Sequence, residues 1–185
     1  YPFHLGITEA GTAKSGSVRS AIGLGMLLYE GIGDTIRVSL SDDAREEVYT
    51  GFEILKSLEL RKEGAVLVAC PSCGRADVDV IKLSNDVDEL LKKIKSPIKV
   101  AVMGCVVNGP GEAEGADVAV FAGDRRGIIY VQGEKVANIP EEEILDRLLL
   151  ECKLLEDRVR SGKTKLGEKA VTIIAPALTV EGQHA

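Results

Sequence analysis

The sequence lacks tryptophan, has few aromatic side chains of any kind, and contains no long hydrophobic run. Aromatic residues make up 4% of the 185 residues, while the hydrophobic fraction is 45%, so valine, isoleucine, leucine and alanine must fill the core. No apolar run reaches the ~18 residues that a membrane-spanning helix requires. A membrane protein is therefore not expected, and the composition suits one ordinary domain or two small ones.

An excess of basic residues is also missing, since the formal net charge is −6. Non-specific binding to nucleic acid or to an anionic membrane needs a positive field, so neither partner is expected. A small basic pocket for a phosphorylated metabolite remains compatible with this charge. The first residues lack the basic start and cleavage site of a signal peptide, and there is no initiator methionine. We therefore expect a cytoplasmic protein and a piece of a longer chain.

Four cysteines without a secretory signal favour metal or redox chemistry over disulfides. The two histidines, His4 and His184, lie near the chain ends, away from every cysteine in sequence.

The first 62 residues alternate between strand and helix patterns. A buried strand is predicted over 3–8 and a helix over 18–29, with Ser17 as its N-cap and Val18, Ile22, Met26 and Tyr29 along one side. A second strand is predicted over 35–40, and a helix capped by Ser41 or Asp42 runs to about Leu58. This order is typical of parallel βα units.

A charged stretch, 61–64, reads as a linker to a second region, 63–162, and the tail 163–185 has no clear role. Strands are predicted over 65–69, 98–103, 118–122 and 128–131, a helix over 86–94, and a long amphipathic helix from Pro140 to about Arg160. Within the tail, 170–175 has the pattern of a strand.

Two of the predicted strands run directly into cysteine-containing loops. Cys70 and Cys73 form a C-x-x-C loop, and Cys105 begins a loop with glycines, a proline and the acidic Glu112. If the two strands are neighbours in one sheet, their loops converge at one end of it. The C-x-x-C spacing alone is shared by zinc sites, redox dithiols and iron–sulfur sites.

The ligand types favour iron–sulfur chemistry, although zinc remains open. A structural zinc site uses four Cys or His ligands, whereas only three cysteines lie in this arrangement. Cys152 falls within the long helix, on a stripe with Ile144, Leu148 and Leu155, and its simplest interpretation is a small buried side chain. Three thiolates with one other ligand suit a cluster whose fourth iron is open to substrate.

Four sequence motifs, HLGITEAG from His4, EGIGDTIRVSL from Glu30, CPSCGR from Cys70 and GCVVNGPGE from Gly104, occur in this order. Together they resemble the C-terminal half of the GcpE (IspG) family of 4-hydroxy-3-methylbut-2-enyl diphosphate synthases, over about residues 3–160. The resemblance implies a [4Fe–4S] cluster held by Cys70, Cys73, Cys105 and Glu112. It also implies a two-electron reductive ring opening and dehydration of 2-C-methyl-D-erythritol 2,4-cyclodiphosphate in non-mevalonate isoprenoid synthesis.

The resemblance further implies an α/β fold in which a TIM barrel is followed by a small cluster domain. Residues 1–62 would then be the last two βα units of the barrel, and 63–162 the [4Fe–4S] domain. Electrons are expected from ferredoxin or flavodoxin, and the full-length protein is expected to be a homodimer. Since the remaining barrel units are missing from this chain, the fragment alone is expected to be inactive.

Beyond the cluster ligands, the resemblance points to a catalytic Glu9 and to substrate binding by Arg37, Ser39 and Asn108. Glu9 follows a strand, where barrel enzymes carry catalytic groups, yet without the motif a loop acid is the simpler interpretation. Arg37 and Ser39 alternate on one strand, so their side chains point to the same face. A guanidinium and a hydroxyl there can bind a diphosphate, and the alternative is a structural ion pair at the barrel rim. Asn108 can bond a cluster sulfur or the substrate, or simply hold a turn.

Two other functions remain compatible with the cysteine spacing: a non-catalytic iron–sulfur electron carrier and a zinc-bound structural domain. Glu9, Arg37 and Ser39 favour the enzyme, because a carrier needs no diphosphate-binding strand.

Overall fold

The computed structural model describes residues 1–74, 76, 78–105 and 109–167, with only the backbone for 110 and 112. The chain divides into two compact units, Tyr1–Glu63 and Gly64–Ala185. Asn108 and the strand predicted over 170–175 lie outside the described residues.

The first unit consists of two strands, each followed by a helix: β1 (His4–Gly6), α1 (Ala13–Tyr29), β2 (Thr35–Arg37) and α2 (Ala44–Ser57). The strands pair in parallel, with Gly6 opposite Arg37. Leu24, Leu28, Val38 and Ile54 form a core in which side chains from both helices cover one face of the strands. The predicted βα order is therefore confirmed for this part of the chain.

The predicted N-caps of both helices are wrong. Ser17 lies inside α1, which begins at Ala13 after Thr12. Gly16 sits in the first turns of α1 because it packs tightly: an added Cβ would lie 2.5 Å from Leu40 and 3.0 Å from the Gly11 carbonyl. The cap of α2 is Asp43, whose carboxylate accepts a hydrogen bond from the Arg45 amide.

The apolar side of α1 that stands out in the sequence faces away from this core. Val18, Ile22, Met26 and Tyr29 are each more than half exposed in the described structure. The buried residues of α1 lie on a different side of the helix, and two of the four are small: Gly16, Ser20, Leu24 and Leu28.

The second unit is built on a five-stranded sheet in the order β3-β4-β5-β6-β7. Its elements are β3 (Val66–Ala69), α3 (Val80–Leu91), β4 (Lys99–Met103), α4 (Gly109–Glu112), β5 (Val118–Gly123), β6 (Arg126–Val131), β7 (Glu134–Pro140) and α5 (Ile144–Arg160). β3, β4 and β5 pair in parallel, whereas β6 pairs antiparallel with both β5 and β7.

Two predicted helix starts in this unit are wrong. The helix expected from Asp86 begins at Val80, because the Asp79 carboxylate caps it by accepting from the Lys82 amide. Pro140 ends β7, a strand absent from the prediction, and does not open the long helix. A 3-10 turn, Glu141–Glu143, follows before α5.

The two faces of the larger sheet bury different sizes of side chain. One face presents Val100, Val102, Val118 and Val120, all 0% exposed, to the core that contains α3 and α5. On the opposite face, small side chains and two large ones pack together: Ala101, Met103, Ala113, Ala116, Ala119 and Phe121. This alternation follows from the two-residue period of a strand.

The described start of the C-terminal tail is fixed to the sheet at the end where β5 begins. The carboxylate of Asp117, 4% exposed, accepts hydrogen bonds from the amides of Lys99 and Gly167, both at 2.9 Å. The side-chain amide of Gln132 donates to the Lys165 carbonyl at 3.0 Å. In the described part of the chain, no helix is long and apolar enough to cross a membrane.

Candidate metal and substrate sites

Cys70 and Cys105 follow neighbouring parallel strands at the same end of the sheet. Ala69, the last residue of β3, lies opposite Val102, so Cys70 continues in line with Met103. Cys105 comes two residues after the end of β4. The two strands are thus neighbours in one sheet, which is the condition for their loops to converge, and two of the three predicted thiolate ligands follow the same end of it.

The surroundings of the cysteines differ. Cys105 is buried at 9% exposure, Cys70 is half-buried, and Cys73 is exposed. Cys70 and Val68 pack against the cluster on the face of the sheet that carries Ala101, Ala119 and Phe121, here called the small-residue face. The Cys73 carbonyl accepts a hydrogen bond from the Ala76 amide at 3.1 Å, which turns the chain after the C-x-x-C loop.

A backbone amide points at the first of these thiols. Gly104 donates its N–H to Sγ of Cys70 at 3.2 Å. Amide N–H groups of this kind stabilise negative charge on sulfur, as a metal-bound thiolate requires. Cys70 thus accepts the kind of backbone hydrogen bond that metal-bound thiolates accept, and its role as a ligand stays a prediction.

The complete predicted ligand set is not assembled by the described residues. Within the described ranges, no three His, Cys, Asp or Glu side chains lie close enough together to hold a metal ion. Glu112 ends α4, where only its backbone is described. Thiol donors at adjacent strand ends match the ligand chemistry of an iron–sulfur or zinc centre, and the four-ligand set stays a prediction.

Two glycines shape the loop that starts at Cys105. An added Cβ on Gly104 would lie 2.1 Å from Cγ2 of Val80, and one on Gly109 would lie 2.5 Å from Cδ1 of Phe121. At Gly111, an added Cβ would meet no described atom within 4 Å. Gly109 is thus required by packing against Phe121.

In the first unit, the exposed face of the two strands carries Arg37, one of the predicted substrate residues. Arg37 ends β2, is exposed, and donates from Nη2 to Oγ1 of Thr8 at 3.2 Å. Its guanidinium lies over Gly6, where an added Cβ would be 3.0 Å from both Nε and Nη2. Thr8 and Gly6 were missed by sequence reasoning, although both share the strand period with His4 on this face.

Glu9 and Ser39 lie in the loops that follow β1 and β2. Because β2 ends at Arg37, the prediction that Ser39 shares its strand is wrong. Glu9 is exposed, and within the described structure its carboxylate forms no hydrogen bond or ion pair; Ser39 is half-buried. The Ser41 amide donates to the Gly11 carbonyl at 2.8 Å, which ties the two loops together. The carboxylate of Glu47 accepts from the Leu40 amide at 2.9 Å. Glu9, Arg37 and Ser39 thus share the carboxyl end of the parallel pair.

In the second unit, Cys152 lies within α5 and is 0% exposed together with Ile144 and Leu155. Burial raises the pKa of its thiol to about 12, with smaller contributions from Glu151 and Glu156. Its interpretation as a small buried core residue is confirmed.

Comparison with known proteins identifies both units. Residues 1–52 match the GcpE TIM-barrel domain, and residues 66–154 match the GcpE protein C-terminal domain.

Three curated relatives are named 4-hydroxy-3-methylbut-2-en-1-yl diphosphate synthase (flavodoxin), the third with the suffix 1. The chain is 56% identical to the protein of Dehalococcoides mccartyi over 151 residues, which are 82% of this chain and 43% of the relative. It is 53% identical to that of Symbiobacterium thermophilum over 169 residues, 90% of the chain and 45% of the relative. For Streptomyces avermitilis the identity is 49% over 173 residues, 94% of the chain and 45% of the relative.

The chain therefore spans less than half the length of these relatives. Their similarity covers both units, and the two matched domains follow the same order as the motifs. The chain belongs to the GcpE family and matches the C-terminal part of its proteins.

Proposed function

We propose that this chain is the C-terminal part of a 4-hydroxy-3-methylbut-2-enyl diphosphate synthase of the non-mevalonate isoprenoid pathway. The observation that carries the proposal is the placement of Cys70 and Cys105 at the ends of adjacent parallel strands, in a chain 56% identical to a protein with that name. The substrate would be 2-C-methyl-D-erythritol 2,4-cyclodiphosphate. Two electrons and two protons enter, the cyclic diphosphate opens at a carbon–oxygen bond, and one oxygen leaves as water.

The proposed cofactor is a [4Fe–4S] cluster with Cys70, Cys73, Cys105 and Glu112 as ligands. When bound, such a cluster supplies electrons one at a time and an iron that can bind a substrate oxygen. The support from this structure is the donor chemistry at the ends of β3 and β4 and the Gly104 amide directed at Cys70. Asn108 would contact the cluster or the substrate from the same loop.

The proposed roles in the first unit follow from charge and position. Arg37 binds the diphosphate through its guanidinium, which Thr8 and Gly6 hold at the carboxyl end of β2. Ser39 donates a hydroxyl to the same group. Glu9, exposed and without an ion pair in the described residues, is available to give or take a proton during loss of the hydroxyl.

The proposed electron donor is flavodoxin, because the relatives' names include it, with ferredoxin as the alternative. We also propose that the full-length protein is a homodimer and that the two units belong to a TIM-barrel domain and a cluster domain.

The proposed location is the cytoplasm, where thiols such as Cys70, Cys73 and Cys152 stay reduced. We expect the 185 residues alone to be inactive, because the match to the barrel domain ends at residue 52 and includes only two strands.

The test is anaerobic reconstitution of the full-length protein with iron and sulfide, followed by reaction with the cyclodiphosphate and reduced flavodoxin. Formation of 4-hydroxy-3-methylbut-2-enyl diphosphate is expected. An intact cluster that yields no product, while still exchanging electrons with flavodoxin, would contradict the assignment and favour an electron carrier.

A further inference from the structure

The thiol of Cys70 receives a hydrogen bond that the β-ladder would ordinarily give to a carbonyl. The Cys70 amide donates to the Val102 carbonyl at 3.1 Å, as in a parallel ladder. The next bond of that ladder would run from the Gly104 amide to the Cys70 carbonyl. The Gly104 amide donates instead to Sγ of Cys70, 34 residues away in sequence, at 3.2 Å.

The direction of this amide is fixed by packing on the other side of Gly104. An added Cβ at Gly104 would lie 2.1 Å from Cγ2 of Val80 and 3.3 Å from Cβ of Ala76. The backbone of Gly104 therefore rests directly on the Val80 side chain, with no side chain of its own between them. Val80 is 2% exposed, so its methyl groups are enclosed by closely packed neighbours.

The position of Val80 is in turn fixed by the start of α3. The Asp79 carboxylate accepts from the Lys82 amide at 2.9 Å, and the Val80 amide donates to the Val78 carbonyl at 2.8 Å. Val80 thus belongs to the hydrogen-bonded start of α3 rather than to the loop that it supports.

We propose that Val80 is a positioning residue that sets the reduction potential of the cluster by holding the Gly104 amide on the sulfur of Cys70. The inference rests on the proposed function, because it concerns a cluster bound through Cys70. An amide donor stabilises the reduced cluster more than the oxidised one, since reduction adds negative charge to the sulfurs. A weaker hydrogen bond therefore lowers the potential.

The chain offers a matched control in the same helix. Val87 is also buried, at 1% exposure, and packs into the core on the far side of the sheet from the small-residue face. Val80→Ala and Val87→Ala remove the same two methyl groups from α3 at similar burial. Only the first leaves a gap beneath Gly104.

The experiment compares the two variants in the full-length, anaerobically reconstituted protein by redox titration of the cluster absorbance. We expect a more negative midpoint potential for Val80→Ala, an unchanged one for Val87→Ala, and recovery towards the wild-type value in Val80→Ile, which keeps Cγ2. Equal potentials in Val80→Ala and Val87→Ala would overturn the inference.

A second measurement needs no variant and covers the case in which Val80→Ala fails to fold. Hydrogen exchange of the Gly104 amide in the wild-type protein is expected to be slow, and exchange as fast as in an unstructured loop would overturn the inference. If the wild-type protein binds no iron, the proposed function itself fails. If the wild-type protein binds a cluster but Val80→Ala leaves its midpoint potential unchanged, only the role of Val80 is rejected.

Discussion

The guanidinium of Arg37 lies directly over Gly6 of the neighbouring strand, in the space that a side chain would occupy. An added Cβ at position 6 would be 3.0 Å from both Nε and Nη2 of Arg37. Because Gly6 and Arg37 are register partners, the absence of a side chain on one strand determines where the charge on the other can sit. The arginine is thereby directed along the strand pair towards Thr8.

Arg37→Ala is expected to raise KM for the cyclodiphosphate roughly 10- to 100-fold, the cost of losing a hydrogen bond to a charged group. Gly6→Ala should raise KM by up to about 10-fold, because it displaces the guanidinium without removing it. The measurement is steady-state kinetics of the full-length enzyme. An unchanged KM in Arg37→Ala rejects the diphosphate role.

A matched glycine supports the interpretation of Gly6→Ala. At Gly25, within α1, an added Cβ would meet no described atom within 4 Å. Gly25→Ala is expected to leave KM unchanged and to stabilise the helix by about 0.5–1 kcal/mol. A similar change of KM in both variants would indicate a general disturbance.

Glu9→Gln is expected to lower kcat by about 10²- to 10⁴-fold, because a proton donor or acceptor is lost. Iron content should stay at the wild-type level, since Glu9 is not among the proposed ligands. Glu30, at the other end of the unit after α1, gives a control in Glu30→Gln, for which no change is expected. Parallel losses of iron and kcat in Glu9→Gln would show that the residue acts through the cluster domain instead.

Gly109→Ala is expected to destabilise the second unit by about 1–3 kcal/mol, because the new methyl group overlaps the Phe121 ring. It should also reduce iron bound per chain, since α4 carries Glu112. Gly111→Ala is the control, because its new methyl group would meet no described atom within 4 Å. It should change the free energy of unfolding and the iron content less than Gly109→Ala does. Thermal unfolding and iron analysis of both variants make the comparison. Equal effects would argue against the packing role of Gly109.

The Cys152 thiol should resist alkylation in the folded protein at pH 8, because burial raises its pKa to about 12. Cys73, which is exposed, should react readily in the cluster-free protein. Mass spectrometry of the alkylated chain separates the two sites. Alkylation of Cys152 at the rate of Cys73 would contradict the buried environment.

The same raised pKa predicts how stability depends on pH. The thiol of Cys152 holds its proton more tightly in the folded state than an ordinary cysteine thiol does, whose pKa is 9.0. Its contribution to the free energy of unfolding is therefore complete below about pH 9 and is lost as pH rises towards 12. Cys152→Ala should remove this part of the alkaline loss, and an identical pH profile in the variant would reject the assignment.

The order of elements was predictable because strand and helix periods are local properties. The apolar runs before Cys70 and Cys105 predict the strands β3 and β4. Because these two strands are parallel neighbours, the loops that follow them lie at the same end of the sheet. The inward stripe of α5 also follows from spacing alone, since Leu148 is 2% exposed and Ile144 0%.

The parts that were missed depend on contacts between distant residues. Gly16 precedes the helix predicted over 18–29, yet it lies in α1, where Leu40 and the Gly11 carbonyl fill the space beside it. β7 has a weakly alternating sequence that ends in Pro140, and pairing with β6 makes it a strand. The Gly104–Cys70 hydrogen bond joins residues 34 apart and leaves no trace in either motif.

The cysteines at the ends of β3 and β4 are proposed to hold an iron–sulfur cluster, and every role assigned to the second unit depends on it. Metal and sulfide analysis of the anaerobically purified full-length protein tests this most directly, with Cys105→Ala as the comparison. Iron and acid-labile sulfide are expected in equal amounts, about four of each per chain, and both should be lost in the variant. Stoichiometric zinc without iron or sulfide would contradict the proposal.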